Sequence, residues 1–192
     1  MKKISYLIII FNLILTLMNK SFAQTSKDNS DNTLLIDLKY GRVVIEMLPE
    51  VAPNHVERIK ALVKQKFYDG ISFHRVIDGF MVQTGDPTGT GMGGSKLPDL
   101  RAEFSDEPHI RGAVSMARAS EPNSANSQFF IVTHDSRFLD RQYTVWGRVV
   151  KGMEFVDKIK KGAGRDGRVD TPDIMIKVRL ASDFDTKKPK TL

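Results

Sequence analysis

The chain has 192 residues, 41% hydrophobic and 27% charged, with a formal net charge of +6. That length holds one domain with a real core and is short for two. The absence of cysteine excludes disulfides, thiol nucleophiles and cysteine metal sites together.

The chain opens MKKISYLIIIFNLILTLMNKSFAQ, with a basic start at Lys2 and Lys3, an uncharged apolar run from Ile4 to Met18, and small residues at Ser21 and Ala23. This is the layout of a secretory signal peptide over residues 1–23, and its run is short for a membrane span. Cleavage after Ala23 removes Lys2, Lys3 and Lys20, so 169 residues with a net charge of +3 remain. Without a basic arm or stripe in that remainder, nucleic acid is not an expected partner. The mature protein is expected to be exported: periplasmic in a cell with two membranes, otherwise secreted, and not stably bound to a membrane. Residues 24–32, QTSKDNSDN, read as a flexible lead.

Order is expected from Thr33. TLLIDLKYGRVVIEML reads as a hairpin around Tyr40-Gly41. NHVERIKALVKQKFYDG places Val56, Ile59, Leu62, Val63 and Phe67 at helical spacing, with Gly70 as the stop. Short apolar runs follow, namely ISFHRVI, GFMVQT, GAVSMARA, SQFFIVT and YTVWGRVV, separated by Gly, Pro, Asp and Ser clusters. Such spacing indicates an all-β barrel or sandwich. GMEFVDKIKKG reads as a second helix, DIMIKVRLA as the closing strand, and residues 183–192 as a polar tail ending TKKPKTL. No repeat or linker is visible, so residues 33–182 form one domain, expected to be monomeric.

Arg75 stands among Phe73, Val76, Ile77, Phe80 and Met81. An arginine in apolar surroundings needs acceptors for its five donors, and nearby carboxylates such as Asp78 or Asp86 could supply them. Alternation puts Met81 with Gln83 on one strand face, and Gln128 with Phe130 and Val132 on another. Amides beside apolar walls suit a site that grips a peptide.

Other chemistries fit poorly. GDPTGTGMGGS (residues 85–95) has the glycines of a phosphate loop but no following lysine and no helix to open, so it reads as a flexible loop at the edge of a site. The serines of SMARASEPNSANS lie in no Gly-x-Ser-x-Gly elbow, which argues against a hydrolase. His55, His74, His109 and His134 are far apart and without ligand-like spacing, so no metal is expected.

Taken together, FHRVIDGFMVQTGDPTGTGMGG, AVSMARA, NSQFFIVT and FLDRQYTVWGRVVKGMEFVDKI resemble the cyclophilin family of peptidyl-prolyl cis-trans isomerases, exported bacterial members above all. The resemblance runs from about Thr33 to Ser182. It implies a mainly β fold, a closed eight-stranded antiparallel barrel capped by two α-helices, with a peptide groove on its outside. By matching motif, Arg75 is the catalytic residue. Phe80, Met81, Gln83, Gln128 and Phe130 line the groove, Ala117 and Arg118 form an edge that bonds substrate backbone, and Phe138, Leu139 and Tyr143 wall the proline pocket.

The resemblance implies no cofactor. The substrates it implies are proline-containing segments of unfolded or folding exported proteins. Phe138 replaces a tryptophan of many members, Tyr143 a histidine and Arg118 an asparagine. These departures imply weaker cyclosporin-type binding and a preference for acidic or polar neighbours of the proline. The implied chemistry is non-covalent, with Arg75 donating to the prolyl nitrogen of a twisted amide, and its rate is expected to be flat with pH near neutrality. A proline-peptide-binding chaperone with little turnover is the alternative use of the same groove.

Overall fold

The computed structural model describes residues 30–185. The signal peptide expected at residues 1–23, residues 24–29 of the lead and residues 186–192 of the tail lie outside the described residues. Order begins slightly before Thr33: Ser30 and Asp31 are helical, and the Asn32 carbonyl accepts from the Met47 amide at 2.8 Å.

β1 (Thr33–Leu38) and β2 (Gly41–Met47) form the expected hairpin, in register from Leu38 opposite Gly41 to Thr33 opposite Glu46. Alternation sends Leu34, Ile36, Val43, Ile45 and Met47 inward. Gly41 closes the turn at φ +143, and a Cβ there would sit 2.5 Å from the Phe155 ring, so only glycine fits.

α1 (Pro53–Lys64) buries Val56, Ile59, Leu62 and Val63. Proline at its first turn lacks only an N–H that the helix could not use. It stops well before Gly70. Lys66 takes the left-handed conformation at φ 57, its amide donates to Val63 O and that of Phe67 to Leu62 O, at 2.9 and 3.0 Å. These are the two bonds of a Schellman motif with lysine in the place usually held by glycine. A packed aromatic after the turn therefore ends the helix where no glycine announces it.

The remaining apolar runs supply β3 (Arg75–Ile77), β4 (Met81–Thr84), β5 (Ala113–Met116), β6 (Phe129–Val132), β7 (Val145–Lys151) and β8 (Lys177–Leu180). All pair antiparallel in the order β3-β4-β6-β5-β7-β2-β1-β8. The eight-stranded antiparallel architecture is as expected, but its closure differs: no ladder joins β3 to β8. The gap is spanned by residues 167–175, through bridges of Arg168 to Arg75 and Ile174 to Ser72 and the bond from Phe73 N to Asp173 O at 2.8 Å. With Gly167 at positive φ and Pro172 lacking a donor, this segment satisfies the open edge without forming a long strand.

The second helix is also shorter than its pattern. α2 covers only Met153–Val156, after which turns carry Ile159 into the core. α3 (Ser182–Asp185) follows β8 directly. Among the described residues no helix is long and apolar enough to cross a membrane.

Two apolar clusters result. The large one fills the barrel and includes Val76, Val82, Val114, Phe129 and Ile131. The small one lies on the outer face of the same strands and gathers Met81, Ala113, Phe130, Val132 and Leu139, with Ile77, Phe80, Ala117 and Tyr143 packed against it. Period-2 alternation thus lets one set of strands bury both faces, and the outer face becomes the floor of a site.

Candidate active site

The outer cluster opens into a cavity of about 330 Å³ lined by Arg75, Phe80, Met81, Gln83, Ala117, Arg118, Phe130, Phe138, Leu139 and Tyr143. Ten of the eleven residues expected in the site therefore meet on one surface. β3 and β4 bring Arg75 opposite Gln83, and β4 and β6 bring Gln83 opposite Phe130. The rings are braced mutually: Phe80 and Phe138 are tilted at 5.5 Å, while Tyr143 meets Phe130 edge-on at 5.9 Å. Phe138 remains 67% exposed, so one wall of the pocket has an apolar face open to solvent.

Arg75 pairs with neither acid near it in sequence. Asp78 is 2.5 Å from Lys161, and Asp86 is occupied by loop amides. Instead the Arg75 guanidinium donates from Nε to the Asp166 carbonyl at 2.9 Å and from Nη1 to Gln83 Oε1 at 3.1 Å. Both acceptors are neutral, so its charge is aimed without being cancelled.

Gln128, the eleventh residue, supports the cavity instead of lining it. Its Nε2 donates to Gly91 O at 3.0 Å and Gly93 O at 2.8 Å, and its Oε1 accepts from Gln83 Nε2 at 2.9 Å. Both amide hydrogens are committed to the protein. Arg75, Gln83, Gln128 and the glycine loop form one continuous relay. Gln83 and Gln128, with the loop, Asn126 and Arg118, line an adjoining depression of about 540 Å³.

The glycine loop is built, where a flexible segment was expected. The Asp86 carboxylate accepts from Thr88 N, Gly91 N and Gly93 N at 2.7, 2.6 and 3.1 Å, and from Thr88 Oγ1 at 2.8 Å. Burial would raise its pKa, but these donors overcome it and hold the group down at about 2. A Cβ on Gly93 would lie 2.1 Å from Asp86 Oδ1, so the glycine permits the wrap. The Asp-Pro-Thr turn signal was readable in sequence; that one carboxylate gathers three amides was not.

Arg118 is anchored more firmly than a free edge charge. It donates to Gln142 O, Ala119 O and Ser120 O, and its guanidinium lies 4.6 Å from the Tyr143 ring centroid. His74 is buried beside the loop, and burial pushes its pKa down, so it carries no charge near neutrality. Sequence reasoning named Phe138 and Leu139 but missed the roles of Asp86, Asp166, His109 and Asp140, because each acts through contacts made only by the fold.

Known proteins share this fold and much of this sequence. The family model "Cyclophilin type peptidyl-prolyl cis-trans isomerase/CLD" matches residues 33–180. A probable peptidyl-prolyl cis-trans isomerase of Brucella suis is 51% identical over 170 residues, covering 82% of this chain and 87% of that protein. The human peptidyl-prolyl cis-trans isomerase-like 3 is 44% identical over 125 residues, covering 63% and 77%. The crystal structure of a cyclophilin from Hirschia baltica superposes with a TM-score of 0.73 at 32% identity, covering 84% of this chain and 77% of that one. A Cryptosporidium parvum cyclophilin crystallised in the presence of the dipeptide Ala-Pro superposes with a TM-score of 0.71 at 28% identity, covering 77% and 98%. The chain belongs to the cyclophilin-type peptidyl-prolyl cis-trans isomerase family.

Proposed function

We propose that this isomerase turns X–Pro bonds in exported proteins by stabilising the twisted amide through Arg75, without a covalent step. An X–Pro bond is planar by resonance and exchanges between cis and trans over tens to hundreds of seconds. Twisting it returns a lone pair to the prolyl nitrogen. A guanidinium beside that nitrogen bonds the lone pair only while it exists, and so favours the transition state over both ground states.

The observation that carries this reading is an arginine oriented by two neutral acceptors at the edge of an apolar cavity. Phe80, Met81, Phe130, Phe138 and Leu139 seat the proline ring and keep water from the guanidinium. For about five decades of acceleration the site must supply roughly 7 kcal/mol. One charge-assisted hydrogen bond supplies about 1.5–3 kcal/mol of this. The remainder comes from holding the chain on one side of the proline while the other rotates. The Ala117 edge fits that role, since its carbonyl accepts no bond among the described residues.

Proline-containing segments are the substrates, in keeping with the dipeptide supplied to the Cryptosporidium relative. Arg118 stands where the cavity and the depression adjoin, and among the described residues no carboxylate forms an ion pair with it. It supports a preference for acidic or polar residues next to the proline. The N-terminal 23 residues support export, after which the domain works as a monomer beyond the membrane.

The test is the cis-to-trans relaxation of a short Ala-Pro peptide with the protein and with Arg75→Ala. Acceleration that falls at least tenfold in a folded Arg75→Ala is expected, from the loss of one charge-assisted bond. Tight peptide binding by the wild type with unchanged relaxation would overturn turnover and leave a holding chaperone.

A further inference from the structure

A Ser-His-Asp arrangement exists in this protein although no serine elbow announces it. His109 Nδ1 lies 3.0 Å from Asp140 Oδ1, and its Nε2 lies 3.0 Å from Ser115 Oγ. This is not a second active site. Ser115 and His109 are both fully buried, and Ser115 Oγ has Thr144 O at 2.9 Å as a second acceptor for its one hydrogen.

What the arrangement holds is the proline pocket. Phe138 and Leu139 sit on a 3₁₀ turn, Arg137–Leu139, flanked by Ser136 and Asp140. His109 grips both flanks. Its carbonyl accepts from Ser136 N at 2.7 Å before the turn, and its amide donates to Asp140 Oδ1 at 2.8 Å after it. The ring then adds a third bond, because a carboxylate can only accept and Nδ1 must therefore carry a hydrogen. Across its face the imidazole stacks on Phe130, at 6.2 Å and 19°. Nε2 ties the ring to Ser115 of β5, whose hydroxyl can point to Nε2 or to Thr144 O.

One side chain thus connects the wall of the pocket, Phe138 and Leu139, to its floor, Phe130. The turn's other ties run to Gln142, which donates from N to Leu139 O at 3.0 Å and from Nε2 to Phe138 O at 2.8 Å, and to the Phe80 ring, not to Phe130; the Arg137–Asp140 pair is 3.9 Å apart and adds little. We infer that His109 and Asp140 are positioning residues that set the spacing between the Phe138-Leu139 wall and the Phe130 floor, and so determine how tightly the proline ring is held. The inference rests on the isomerase reading of this pocket and names no new catalytic group.

The Asp140 side chain offers a clean test, since both bonds from His109 go to the same oxygen, Oδ1. Asp140→Asn keeps that acceptor, Asp140→Ala removes it, and His109→Phe keeps the stacked ring while losing its nitrogens. KM and kcat for an Ala-Pro peptide are measured by exchange NMR on the purified protein. Asp140→Ala and His109→Phe are expected to raise KM about tenfold with kcat changed less than about twofold, the double variant no further, and Asp140→Asn to restore KM.

Wild-type KM in a folded Asp140→Ala and His109→Phe, or an Asp140→Asn as weak as Asp140→Ala, would overturn the inference. Should a variant fail to fold, the wild-type His109 Nδ1–H resonance decides. It is expected to shift on saturation with peptide, and an unshifted signal with bound peptide would refute the coupling. Peptide binding without turnover in the wild type would overturn the isomerase reading alone, because affinity still reports on the pocket.

Discussion

At the scale of single residues, the site is organised by what accepts from what. Arg75 is aimed by Gln83 and the Asp166 carbonyl, and Gln83 is aimed by Gln128, which is pinned to two glycine carbonyls. Gln83 is therefore the joint of the relay. Gln83→Ala frees Arg75 on one side and is expected to lower kcat/KM about tenfold, the worth of one hydrogen bond to a charged group. The double variant Arg75→Ala/Gln83→Ala is expected to lose little beyond Arg75→Ala, as residues acting as a unit are not additive. Fully additive losses in the relaxation assay would show that Gln83 acts on the substrate independently of Arg75. Arginine, methionine, glutamine and phenylalanine were each readable at their positions in the motifs. That Gln128 braces and does not bind was not, since its partners lie 35 and 37 residues away in the chain.

At the scale of elements, local signals predict where a helix or strand exists better than where it ends. α1 has a proline start and an apolar stripe, yet no side chain of its own caps it. Its cap is Glu103, which accepts from Asn54 N and Nδ2 at 3.1 and 2.7 Å and from His55 N and Nδ1 at 3.0 and 2.6 Å. A carboxylate there also meets the positive end of the helix dipole. Burial would raise the Glu103 pKa, but the donations from His55 and Asn54 hold it below its usual range. Glu103→Ala is expected to lower stability by about 1–2 kcal/mol, read as a fall of a few degrees in Tm. An unchanged Tm would mean water replaces the cap at no loss. No sequence window spans this contact, whereas the early end of α1 at Lys66 is local but depends on a left-handed lysine that residue type does not announce.

At the scale of the whole molecule, the core and its titrating groups behave as one unit. Trp146 is fully buried and meets Phe129 edge-on at 5.5 Å, so as the single tryptophan of the chain it reports on the core alone. Burial pushes the pKa of His55, His74 and His109 down, so the unfolded chain takes up protons first as pH falls below about 6.5. Asp86, at about 2 in the fold, and Glu103, also held low, continue the loss below the ordinary carboxylate range. Stability is thus expected to be full above about pH 7, to decline from there, and to have lost the Asp86 contribution by about pH 2. Urea unfolding followed by Trp146 fluorescence at stepped pH checks this, and a midpoint that rises on acidification would contradict it.

Residue type and spacing by themselves determined a one-domain antiparallel β fold with an amphipathic helix, a candidate arginine, and the apolar and amide residues around it. Those properties are carried by period-2 and helical repeats and by motifs a few residues long. Only the tertiary structure decided that the barrel is sealed by residues 167–175 in place of a ladder. It alone decided that Asp86 wraps the glycine loop and Glu103 caps α1, and that His109 braces the pocket. The loop wrap reaches only a few residues but depends on backbone torsions that composition does not specify. The others join groups 27 to 102 residues apart, and such pairings exist only once the strands have set their register.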